Sequence, residues 1–164
     1  MSEVLEHQFL TFTLKEELYA IPVARVREVL EYNRITALPC TESYLKGLID
    51  VRGRGIPVLD LRLRLGLGET PITKATSIIV VDQGLSVEGA ALVGLLADSV
   101  HEVVNIEDDR IDAAPSIGIG SARVFLRGVG RVDERFAFIL DLEKVFDEAD
   151  VAVPEGAKGE VAKK

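Results

Sequence analysis

Val26-Arg27-Glu28-Val29, Pro39, Tyr44-Leu45-Lys46-Gly47-Leu48 and Val58-Leu59-Asp60-Leu61 follow one another in the first half of the chain. The second half repeats the series as Val100-His101-Glu102-Val103, Pro115, Phe125-Leu126-Arg127-Gly128-Val129 and Ile139-Leu140-Asp141-Leu142. Val26 and Val100 lie 74 positions apart, Leu59 and Leu140 81, so the order is kept while the offset drifts. Such self-similarity means one structural unit used twice. Two joined units leave a groove between them and two outer surfaces, the geometry of a connector. Neither copy holds a complete set of catalytic groups.

Working outward, Leu10, Phe12 and Leu14 alternate with polar residues and predict one face of a strand. Lys15-Glu16-Glu17 reads as a hairpin turn, with Leu18 to Ile21 returning. Pro22 suits the first position of a short helix, and Val23, Val26, Val29 and Leu30 then form an apolar stripe at helical spacing. Leu48–Val51 and Ile56–Leu61 read as strands around Arg52-Gly53-Arg54-Gly55, whose glycines supply positive φ. Pro57 demotes its strand to an edge or a bulge. Thr76–Val81 and Ala91–Leu96 are further strands, and Val100–Ile106 is extended. A small-residue loop over 113–122 precedes the pair Val124–Val129 and Phe136–Leu140. Leu142–Glu148 reads as a C-terminal helix. Short strands at this spacing, punctuated by Gly and Pro, indicate small barrels or a sandwich. Residues 1–7 and 151–164 lack periodicity and are expected to be flexible tails.

At 164 residues with 48% apolar and 28% charged residues, the chain can bury a core as one domain or two small subdomains. Its net charge of −8 argues against nucleic acid as a partner, and nine aromatics without Trp make poor stacking platforms. The single cysteine, Cys40, fits a reducing compartment. No basic, apolar leader opens the chain, and no apolar run reaches the roughly 20 residues that span a bilayer. A cytoplasmic protein without membrane insertion is expected.

The repeat, Glu28, the Arg52-Gly53 turn and the Ile56-Pro57-Val58-Leu59-Asp60-Leu61-Arg62 segment give a chain that resembles the CheW family of chemotaxis coupling proteins. The likeness covers about residues 8–148 and is carried also by Phe9–Leu14, Tyr19-Ala20-Ile21, Lys46–Gly53 and Phe125–Gly128. It implies a mainly β fold, two SH3-like five-stranded β-barrel subdomains sharing a core, with short helices and a C-terminal helix. The expected division is roughly 15–85 and 86–148, with strand 8–14 free to join the second. The resemblance implies an adaptor without enzymatic activity, joining the cytoplasmic tip of methyl-accepting chemoreceptors to the regulatory domain of a CheA-type histidine kinase. An isolated monomer is expected. Receptor-binding candidates are Val23, Val26, Glu28, Gly47 and Arg52; kinase-binding candidates are Gly53, Thr76, Ser77 and Ile78. Ser77 departs from the aliphatic residue usual in the family at its place, and Arg54 from the apolar residue common at its own.

Each reading has a plainer rival. Glu28 and Arg52 either pair bidentately across the fold or are unrelated surface charges. Val23, Val26 and Leu48 either line a groove for a receptor helix or face the core, and Gly47 and Gly53 are simplest as turn residues. Ser43-Tyr44-Leu45-Lys46 fits the Ser-x-x-Lys pattern of penicillin-binding enzymes but lacks its companion motifs. Gly118-Ile119-Gly120 lacks the rest of a nucleotide-binding loop. His7, His101 and Cys40 have no ligands or base at useful spacing, and Asp108, Asp109 and Asp112 do not form a calcium loop. No metal or cofactor is expected. The alternatives are a coupling protein for a non-flagellar array and, in a different class, a small all-β hydrolase.

Overall fold

The computed structural model describes residues 6–39, 42–83, 91–114 and 124–146. Cys40, Gly118–Gly120, most of the 113–122 loop, residues 1–5, the end of the expected C-terminal helix and the tail 151–164 lie outside the described residues.

Among the described residues, ten strands form two sheets. They are β1 Gln8–Leu14, β2 Glu17–Pro22, β3 Val26–Glu31, β4 Leu45–Val51, β5 Arg54–Asp60, β6 Ser77–Asp82, β7 Leu92–Ala97, β8 Ser99–Asn105, β9 Leu126–Val132 and β10 Arg135–Leu140. One-turn helices α1 (Leu61–Arg64) and α2 (Leu142–Val145) follow β5 and β10. The first sheet runs β3-β6-β7-β5-β4 and the second β8-β1-β2-β10-β9. The orders superpose strand for strand, and each sheet contains one parallel pair, β5 with β7 and β10 with β2. Each five-stranded sheet makes one SH3-like barrel.

The strands do not divide as expected. β2 belongs to the second barrel and β7 to the first, so the first barrel is built from 26–97 and the second from 8–22 with 99–140. The division at 15–85 and 86–148 is corrected accordingly. Alternation reveals that a segment is a strand but not which sheet it joins, and the second copy begins with two strands borrowed from the chain's start.

Three apolar clusters explain the composition. Ile49, Ile56, Val58, Ile78, Val80 and Leu96 fill the first barrel, and Phe9, Ala20, Ile106 and Ile139 fill the second. Between the barrels lies a shared core that takes Leu10, Phe12, Leu14 and Ile21 from one and Leu59, Ile79, Val81 and Leu95 from the other. β6 and β7 are therefore buried on both faces, which is why they read as unbroken apolar runs.

Local chemistry sets the ends. Asp60 and Asp141, the repeated Leu-Asp-Leu aspartates, are N-caps: Asp60 Oδ1 accepts from the Arg62 and Leu63 amides, and Asp141 Oδ1 from those of Glu143 and Lys144. Leu61 thus starts a helix rather than ending a strand. The turn after β4 is Arg52-Gly53 alone, with φ of 51° and 85°, so Arg52 and Gly53 rather than Gly53 and Gly55 supply the left-handed pair. β5 is an inner strand despite Pro57. Its pairing with β7 begins only at Val58, so the missing donor interrupts no ladder there.

The stripe of Val23, Val26, Val29 and Leu30 is not a helix. Val23–Arg25 is a single 3-10 turn, and Val26–Glu31 is strand β3, with Val26, Glu28 and Leu30 half-buried and Arg27, Val29 and Glu31 exposed. A spacing of three puts Val26 and Val29 on one face of a helix but on opposite faces of a strand, and here the strand forms.

Candidate docking surfaces at the seam of the first barrel

β3 and β4 are the two edges of the first sheet, and the seam between them is bridged at both ends. At one end of this seam the chain after β3 reaches across, with the Thr36 and Leu48 amides each donating to the other's carbonyl at 2.8 Å. Gly47 sits against this bridge with φ of +149°, and a Cβ there would stand 2.0 Å from the Thr36 carbonyl oxygen. Without a Cβ it lets two backbones touch. Asp112 and Val129 make the same bridge in the second barrel, against Gly128.

At the other end the Arg52 guanidinium in the β4–β5 turn donates to the Glu28 carboxylate on β3. Arg52 is 75% exposed and Glu28 27%, so the pair is a surface clasp. Asp50 braces the turn by accepting from the Gly53 amide at 2.8 Å. Between the two bridges lies an open groove of about 690 Å³. Leu30, Leu48, Ile49 and Val51 give it an apolar floor, and Glu31, Arg34, Asp50 and Arg52 charge its rim.

The structure thus brings Glu28 and Arg52 together and places Gly47 at the opposite end of the seam. Val23 and Val26 do not join them: Val26 packs on the shared core. The exposed valine of β3 is Val29. Sequence reasoning missed it as a groove residue; the alternation Arg27, Val29, Glu31 was the available signal.

The kinase-binding candidates divide. Gly53 is exposed and Ser77 half-buried. Ile78 is 0% exposed inside the first barrel, so its side chain cannot be a contact. Thr76 is buried too, its hydroxyl donating to the Pro71 carbonyl at 3.1 Å and accepting from the Thr73 amide at 2.8 Å. Both are removed from the contact set: Ile78 because the run Ile78–Val81 sends alternate side chains into two cores, Thr76 because its hydroxyl is turned inward to Pro71 and Thr73.

The second barrel breaks the symmetry. Its turn is Asp133-Glu134 rather than Gly130–Asp133, and Asp133, with φ of 56°, stands where Arg52 stands in the first. Glu102 matches Glu28, so two carboxylates line this smaller groove of about 410 Å³, with Arg135 beside them.

Two barrels on a shared core, with an ionic clasp beside an open groove of mixed polar and apolar lining, have the shape of a docking module. The family model described as CheW-like domain matches residues 8–150. A chemotaxis protein CheW of Klebsiella aerogenes is 30% identical over 92% of this chain and 88% of its own. Protein FrzA of Myxococcus xanthus is 33% identical over 76% and 74%. The crystal structure of the scaffolding protein TtCheW from Thermoanaerobacter tengcongensis superposes with a TM-score of 0.75 at 32% identity, covering 88% of this chain and 90% of that one. The chain belongs to the CheW family, whose members are non-enzymatic coupling scaffolds of chemotaxis.

Proposed function

We propose that this chain couples the cytoplasmic tip of a chemoreceptor to the regulatory domain of a CheA-type histidine kinase, in the cytoplasm. The observation that carries the reading is the Glu28–Arg52 clasp at the edge of the first-barrel groove. Apolar floor and charged rim suit one face of an amphipathic helix, whose side chains enter the floor while its polar flanks meet Glu31, Arg34 and Asp50. The clasp fixes the distance between β3 and the Arg52 turn, and so the groove's width. Kinase contact is assigned to the exposed Gly53 turn and to Ser77. No helix among the described residues is long and apolar enough to cross a membrane.

Titration calorimetry with a receptor-tip helical hairpin and with the kinase regulatory domain, separately and together, tests the reading. Both should bind, and binding one should leave room for the other. Mutual exclusion would refute two separate surfaces. The likeness to FrzA, a relative not named CheW, supports a second reading in which the output is other than flagellar; the identity of the co-purifying kinase decides between them.

A further inference from the structure

Among the described residues the chain crosses between the barrels twice: from β2 to β3 through the turn Val23–Arg25, and from β7 to β8 through Asp98 alone. The pseudo-two-fold relation that exchanges the barrels exchanges these connectors, and exchanges α1 with α2. At both crossings a charged connector residue meets the second residue of a one-turn helix. Arg25 Nη1 donates to Glu143 Oε2 of α2 at 3.1 Å, and Arg62 Nη1 of α1 donates to Asp98 Oδ2 at 3.0 Å. The geometry repeats while the polarity reverses, with the cation on the connector in one case and on the helix in the other.

Both connector residues are anchored independently of these pairs. Arg25 Nε donates to Asp82 Oδ1 and Nη2 to the Asp82 carbonyl, each at 2.8 Å, and Arg27 holds the second carboxylate oxygen at 2.6 Å. Asp98 Oδ2 also accepts from the Lys15 amide at 2.9 Å. The helix partner is therefore the movable half at each crossing. The pairs differ in depth: Arg62 and Asp98 are 12% and 21% exposed, whereas Glu143 is 67% exposed.

The shared core that holds the barrels together is apolar, and apolar attraction scales with area and carries no direction. Short charge-assisted hydrogen bonds do carry direction, and register is the best-attested use of partly buried ion pairs. We propose that Arg25–Glu143 and Asp98–Arg62 fix the registration of one barrel on the other, the deeper pair setting it and the shallower one trimming it. They are positioning residues for any partner that touches both barrels. For that last consequence only, the inference rests on the adaptor reading.

Residual dipolar couplings of the full chain, fitted separately for β3–β7 and for β1, β2 and β8–β10, report the relative orientation directly. Glu143→Arg sets two cations together at an exposed site that does not threaten folding; it should rotate one barrel's frame while each barrel still fits its own couplings. Arg62→Asp should do so more strongly, and adding Asp98→Arg should restore the native orientation. Raising the ionic strength should reproduce the Glu143→Arg change in the native chain, because exposed pairs are screened. Coincident frames in Glu143→Arg would overturn the proposal, as would a reversed pair that folds without recovering the orientation. The first-barrel groove lies wholly within one frame, so receptor-hairpin affinity in Glu143→Arg should stay within about twofold; an affinity loss with coincident frames would likewise contradict the registration role.

Discussion

Glu28 on β3 and Arg52 in the β4–β5 turn meet across the seam of the first barrel, whereas Glu102 and Asp133 hold the corresponding places in the second. One barrel is clasped by an ion pair, and the other presents two like charges. Charge reversal at either Glu28 or Arg52 should weaken receptor-hairpin binding about tenfold or more. Because the pair is exposed, its stability cost should stay within about 1 kcal/mol. The double reversal, Glu28→Arg with Arg52→Glu, should recover part of the affinity; calorimetry on the four proteins completes the cycle.

Gly47 tests the seam itself. Gly47→Ala places a methyl 2.0 Å from the Thr36 carbonyl oxygen on backbone with φ of +149°. The bridge must open, at a cost of about 3 kcal/mol or more. Gly55→Ala, whose methyl would meet only a Leu48 methyl at 3.6 Å, should be tolerated. Thermal unfolding of the two variants should differ by at least about 6 °C, given roughly 2–4 °C per kcal/mol at this size.

Ile78→Asp would bury a carboxylate in the first barrel and should unfold the protein rather than report on kinase docking. Ser77→Arg, at the half-buried start of β6, is the informative change. It should lower affinity for the kinase regulatory domain while receptor-hairpin binding stays within about twofold. Equal losses for both partners would return Ser77 to a structural role.

Tyr19 gives a pH signature. Burial in the shared core, reinforced by the neighbouring Glu17 carboxylate, holds its phenol above the ordinary 10.0. A raised folded-state pKa means the contribution is complete below the unfolded value and is lost as pH rises from about 10 through the folded pKa. Alkaline unfolding should therefore steepen above pH 10, and Tyr19→Phe should flatten it. The same dependence in both proteins would point to a different group.

Much of this was legible in the sequence because a repeat constrains each copy by the other. Gly47 with Gly128, Asp60 with Asp141 and Tyr44 with Phe125 play matched parts, down to the Tyr44 and Phe125 carbonyls that accept from the Asp60 and Asp141 amides at 2.7 and 2.8 Å. The Glu28–Arg52 contact was legible too, from opposite charges in two segments that the family resemblance draws together. What was not legible depends on three-dimensional partners. Val26 and Val29 fit helical spacing until β6 pairs with them, and nothing in Ile78-Ile79-Val80-Val81 tells which cores its two faces meet. Sheet membership of β2 and β7 is a matter of topology, to which local periodicity is blind. Arg64, stacked between Tyr44 at 4.6 Å and Phe125 at 5.0 Å, has no counterpart in the second copy and so gave no repeat signal.

The most direct test of coupling is kinase autophosphorylation in vesicles bearing the receptor, with and without this chain. Phosphorylation should rise only when receptor, kinase and chain are all present. It should fall back toward the uncoupled level with Glu28→Arg and return in part with the double reversal. Full stimulation by the Glu28→Arg protein, or stimulation of the kinase by the native chain in the absence of receptor, would contradict an adaptor that works through the first-barrel clasp.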